Sequence, residues 1–225
     1  MKRRHLILAA GPALWLPTAH AQLSETDAAS GIRAALERGA SSAVSLLGKN
    51  DGFFANPLVR IELPDKLKSA VKLLKATGQG QKVEDLLLAM NRAAEAAVPA
   101  AKPLLVKAVK DISVEDALKL VRGGNDKAVT EFFAGKTRAP LHDQFLPIVT
   151  RATEKVALAD KYNAVAGKAA GLGLLKGDDA NIQQYVTGRA LDGLFLMIGE
   201  EEKKIRQDPI GTGSALLKKV FGGKP

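Results

Sequence analysis

The sequence predicts an all-α fold: a single globular domain of about seven to eight helices, following a cleaved leader. Three observations carry that reading. Alanine supplies 31 and leucine 27 of the 204 residues from Gln22 onward, and both are strong helix formers. β-Branched and aromatic residues are sparse, and no long period-two run competes with the helical patterns. Caps and breakers punctuate the chain at helix-length intervals with short connections and no internal repeat, as in one helical domain.

The chain opens with a basic stretch, Lys2 to His5, then an apolar one of about a dozen residues, Leu6 to Pro17, then Ala19-His20-Ala21. That order is a secretory signal peptide with a small-x-small cleavage site, so residues 1–21 are expected to be removed and the mature chain to run from 22 to 225. The apolar stretch is shorter than the ~20 residues a spanning helix needs, and Gly11, Pro12 and Pro17 interrupt it. An uncleaved N-terminal anchor is the alternative. No later window is apolar enough to span a bilayer, so a mature chain without a transmembrane segment is expected. So simple a leader suggests a bacterium, and the expected location is the periplasm, with release from a single-membrane cell left open.

Ser24 and Asp27 set a helix start, and Ile32, Leu36, Ala40, Val44 and Leu47 recur at helical spacing until Gly48. Residues 49–63 are the least helical stretch, with turn chemistry at Asn50-Asp51-Gly52 and Asn56-Pro57. Pro64 and Asp65 open a second helix that Gly78 ends. A third runs from about Gly80 to Val98, where Pro99 and Pro103 end it or kink it into a fourth through Asp111. Ser113 and Asp116 begin a short helix that stops at Gly123-Gly124, and Asn125 caps the next. Pro140 and Pro147 are expected to divide the stretch beyond that cap, with helical patterns to about Ala170. A glycine-rich connector spans 167–177, and the last long helix runs from about Asp179 to Gln207. Residues 209–225 form a C-terminal segment of the same domain that Gly211 and Gly213 allow to swing.

Composition excludes much chemistry. Cysteine is absent from the whole chain, which removes disulfides, thiolate metal sites and thiol nucleophiles. His142 is the sole histidine after the leader and is expected in a loop or at a helix start, partly exposed; a zinc site lacks ligands. No Gly-x-Ser-x-Gly elbow is present. Gly167-Lys168 is a poor phosphate loop, because Tyr162 stands where its first glycine belongs and Ala169 replaces the hydroxyl. Neither a cofactor nor a metal is expected, and the reading leans away from an enzyme.

The mature chain holds 30 basic against 24 acidic side chains, a net +6. Lys68, Lys72 and Lys75 line one face of the second helix. In the C-terminal segment, Leu216, Leu217, Val220 and Phe221 place four large apolar groups around Lys218 and Lys219. These nine residues are the candidate contacts for an envelope protein or an anionic surface, with a solvated basic face, or docking of the last segment on the protein's own core, as the plain alternatives. Nucleic acid is not an expected partner of an exported chain with few aromatics.

Two polar groupings interrupt apolar helices. Asn91 and Glu95 lie one turn apart beside Arg92; Asp192 sits within a segment apolar nearly all round, on a stripe with Tyr185, Gly188 and Gly199. A buried carboxylate needs a partner, so Arg92 is the expected partner of Asp192. Asn91, Arg92, Glu95, Tyr185 and Asp192 then make either a structural ion-pair cluster or a polar ligand pocket. The run Glu200 to Lys204 reads as a solvated helix end with Glu200–Lys204 and Glu202–Arg206 pairs.

The runs DGFFANPLVRIELPDKL, MNRAAEAAVP, YVTGRALDGLF, EEEKKIRQDP and LLKKVF, in this order behind a leader, resemble the family of exported bacterial proteins catalogued as domain of unknown function 4197. The likeness extends from about Gly31 to Phe221. It implies an all-α periplasmic domain and supplies no activity, ligand or catalytic residue. Similar proteins tend to carry an Arg-Thr pair where this chain has Thr212-Gly213. The function expected is a non-enzymatic binding or envelope-associated domain. A small-ligand carrier with an inter-helix polar pocket is the alternative, and a carboxylate-dependent hydrolase the third reading.

Overall fold

The computed structural model describes residues 25–122, 125, 127–155, 157, 160–162 and 181–208. The leader, Ser24, Gly123-Gly124, the connector at 167–177 and the C-terminal segment with Leu216, Leu217, Lys218, Lys219, Val220 and Phe221 lie outside the described residues. Within them the chain forms seven α-helices, two 3₁₀ turns and no strand.

Helix α1 (Glu25–Leu47) buries Ile32, Leu36, Ala40 and Leu47, the expected face. After the irregular stretch at 49–64, a 3₁₀ turn (Asp65–Leu67) leads into α2 (Lys68–Ala76). Gly78 at φ +76° reverses the chain, a conformation that costs glycine little, and the amides of Gly78 and Gln79 return to the carbonyls of Lys75 and Leu74. Helix α3 (Gly80–Ala97) passes through a 3₁₀ turn containing Pro99 into α4 (Ala101–Lys110). Pro103 falls in the first turn of α4, where its missing N–H leaves no helical bond unmade. Helix α5 (Val114–Arg122) starts at Ser113, whose hydroxyl accepts from the Asp116 amide at 3.0 Å.

One expectation fails in α6 (Ala128–Glu154). It is a single helix of 27 residues running through both Pro140 and Pro147. Each proline frees the carbonyl four residues earlier, here Lys136 and Asp143. All four residues are exposed, so water can take those carbonyls and the helix continues. His142 consequently sits within a helix, partly exposed, and not in a loop or at a helix start.

Helix α7 (Ile182–Gln207) is capped by Asn181, whose side-chain oxygen accepts from the amides of Gln183 and Gln184. It packs chiefly on α6 and α1, and more lightly on α3. Its Leu191, Leu194 and Ile198 join Ile32 and Leu36 of α1, Leu86 and Met90 of α3, and Phe133, Leu141 and Phe145 of α6 in one core. Each such side chain contributes about 1.5–3 kcal/mol when fully buried. This bundle is the scaffold on which the irregular stretch is fixed. No described helix is long and apolar enough to cross a membrane.

Candidate functional site

The stretch 49–63 carries turn residues, so its backbone amides need acceptors from elsewhere. Helix α3 supplies them. Glu95 Oε1 accepts the amides of Phe53 and Phe54 at 3.0 and 3.2 Å. One turn earlier, Asn91 pairs with Ile61 in both directions, accepting its amide at 2.8 Å and donating to its carbonyl at 2.9 Å. The second Asn91 proton goes to the Leu87 carbonyl, so the amide group has little left for a ligand.

Arg92 closes the far end. Its guanidinium donates to Glu95 Oε2 at 2.6 Å and to Asp51 Oδ1 at 2.7 Å. The hydrogen bond to Glu95, followed by that to Asp51, raises its pKa further above the ordinary guanidinium value. Arg60 and Arg92 lie against the Phe54 ring, at 4.4 and 5.9 Å from its centroid. From α7, the Tyr185 hydroxyl donates to the Glu62 carbonyl at 2.7 Å. Phe53 is fully buried over Gly193, where an added Cβ would meet the ring at 2.8 Å. Glycine is what lets the loop lie on the helix.

Four of the five expected cluster members, Asn91, Arg92, Glu95 and Tyr185, thus converge on one loop. The fifth does not. Asp192 is 48% exposed and pairs with Arg138 of α6, and at 3.5 Å with Arg189. The expected Arg92–Asp192 pair is absent because Arg92 is held by its own helix and by the loop. Asp192 belongs instead to an outward stripe of α7 with Gly188, Arg189 and Leu196. Within this cluster the buried charge is Glu95, at 4% exposure.

Glu202 was expected only as half of a solvated pair, and its burial comes as a correction. It is 3% exposed and accepts the amides of Val129 and Thr130 at 3.2 and 2.8 Å, and the Thr130 hydroxyl at 2.6 Å. Arg206 completes the set, as expected of the i,i+4 pair. A carboxylate there satisfies the first amides of α6 and meets the positive end of its dipole. Glu200 pairs with Lys127 rather than Lys204, and Lys204 with Glu201. Lys127 holds the Glu200 carboxyl below the usual carboxylate range. The solvated helix end is therefore half an anchor. A signal was present: Leu191, Leu194, Ile198, Glu202 and Ile205 form one buried stripe at helical spacing.

Two open grooves flank the pinned segment. The first, about 440 Å³, lies between residues 58–66 and Tyr185, Arg189, Asp192, Gly193 and Leu196 of α7. The second, about 550 Å³, lies between Glu62–Asp65, the Lys68, Val71, Lys72 and Lys75 face of α2, and Val83 and Leu87 of α3. The three α2 lysines are exposed, as expected. Among the described residues, no group of three or more histidine, aspartate or glutamate side chains could hold a metal ion.

The family model described as Protein of unknown function (DUF4197) matches residues 22–222. The chain belongs to the DUF4197 family. No curated protein and no solved structure matches it. Membership of DUF4197 brings no activity with it.

Proposed function

We propose that this DUF4197 protein is an exported, non-enzymatic binding domain of the bacterial periplasm, using the grooves beside residues 58–66. One observation carries the reading. The polar side chains of the candidate cluster, Asn91, Arg92, Glu95 and Tyr185, are engaged in holding residues 51–62, and open concave surface lies on both sides of the segment they hold. The oxygens of the buried carboxylates Glu95 and Glu202 are each already occupied by several hydrogen bonds from the protein, which leaves neither placed for acid–base work on a substrate. The leader supports export, and the family match begins at Gln22, the expected first residue of the mature chain.

The small-ligand carrier is the second reading. Its pocket shifts from the interior to the first groove, where Tyr185 and Asp192 both line the wall. Protein recovered from the periplasm of a Gram-negative host should begin at Gln22 by intact mass; retention of residues 1–21 on most molecules contradicts export. Native mass spectrometry of the same preparation separates the binding readings. A bound small molecule favours the carrier, and a bound protein favours the partner-binding domain.

A further inference from the structure

The second groove has a make-up that holding the loop does not require. Its floor is Val83 and Leu87 of α3, both buried, with half-buried Val71 of α2 alongside. Lys68, Lys72 and Lys75 stand along its mouth, on one face of a helix of nine residues. The acids around that mouth are already matched. Asp65 pairs with Lys68 at 2.9 Å, Glu84 with Lys75 at 3.2 Å, and Glu62 with Arg60 at 2.9 Å. Among the described residues Lys72 has no ion pair. All of these pairs are open to water, so they are weak and their lysines can be shared. An apolar trough of about 550 Å³ with surplus positive charge at its lip is in the size range of small-ligand sites, roughly 300–1,000 Å³.

We propose that this groove binds a long-chain carboxylate, a single-chain anionic amphiphile. Its hydrocarbon lies along Val71, Val83 and Leu87, and its carboxylate takes the ammonium of Lys72 with Lys68 and Lys75 beside it. Charge complementarity selects the anion. The apolar floor selects the chain, since burying each CH₂ is favourable. The inference rests on the small-ligand carrier reading, with the second groove as its pocket, and names the ligand class.

The test is titration calorimetry with dodecanoate below its micelle concentration, with dodecanol as the neutral control, on wild type and on Lys72→Glu. Lys72 is exposed, so the variant should keep the wild-type melting temperature. Wild type should bind dodecanoate and prefer it to dodecanol. Lys72→Glu should weaken dodecanoate binding by roughly tenfold or more, and amide shifts on titration should centre on Val71, Val83 and Leu87. Absence of dodecanoate binding, equal binding by Lys72→Glu, or shifts centred on the α7 groove each overturn the proposal. So does binding to phosphatidylglycerol vesicles that Lys72→Glu abolishes while free dodecanoate fails to bind, which makes the face a membrane contact. If dodecanoate fails while native mass spectrometry finds another bound small molecule, the ligand class is wrong and the carrier reading stands; a bound protein overturns both in favour of the partner-binding domain.

Discussion

Two of the carboxylates on helix α7, ten residues apart, sit in opposite surroundings. Asp192 looks outward to two arginines on exposed surface. Glu202 is enclosed, with two amides, a hydroxyl and a guanidinium around it. The difference does not lie in the neighbours along the chain, since Asp192 has the more apolar ones. It lies in what faces each group. The start of α6 presents unsatisfied amides to Glu202, whereas the middle of α6, with its own amides already paired, presents only Arg138 to Asp192. A buried carboxylate is found where backbone donors need an acceptor. Glu95 obeys the same rule with the amides of the 49–63 stretch.

If that contrast is right, removing the two kinds of acid should have very different effects. Glu202→Ala should have the largest, about 3–5 kcal/mol in urea unfolding, because it strands buried donors at the head of α6 together with Arg206. A loss below about 1 kcal/mol would mean that water replaces the carboxylate and that the burial is not tight.

Glu95→Ala should come next, at about 3 kcal/mol. Two amides lose their acceptor, but Arg92 is about a third exposed and keeps Asp51. Hydrogen exchange sharpens this case: the Phe53 and Phe54 amides should lose protection before the core of α7 does. Equal loss everywhere would show that the loop is part of the global folding unit.

Asp192→Ala should cost under about 1 kcal/mol, the range of exposed ion pairs. A loss above about 3 kcal/mol would restore Asp192 as a buried structural charge and break the comparison.

The smallest effect concerns pH. The Glu200 carboxyl is held below its ordinary range by Lys127. The stability it contributes is complete above the unfolded value of about 4.3 and is lost as pH falls through the lower folded value. With Glu200 about a third exposed, the contribution should stay below about 0.5 kcal/mol. Lys127→Met, which keeps the stem over Gly199, should be slightly less stable than wild type near about pH 7, the gap closing near about pH 3. A gap independent of pH would assign the effect to packing.

The cluster and the contact candidates were legible to different degrees. Asn91 and Glu95 announced themselves as polar groups on an apolar helix face, and the α2 lysines as a basic face, because both signals are periodic. The partner of each polar group was not legible. Arg92 was assigned to Asp192, yet it answers to Asp51 across 41 positions of chain, a proximity that no local pattern encodes.

By itself the sequence determined that the protein is helical, where α1, α2 and α3 lie to within a few residues, and that the chain has no thiol. Those properties rest on propensity, caps and breakers, which act within a turn or two of chain. Tertiary structure decided that α6 runs through two prolines, because only the packing puts Pro140 and Pro147 on the wet side. It also decided which acid is buried. The amides that enclose Glu202 come from Val129 and Thr130, 73 and 72 positions away, and a carboxylate's burial is favourable only where such donors are delivered to it.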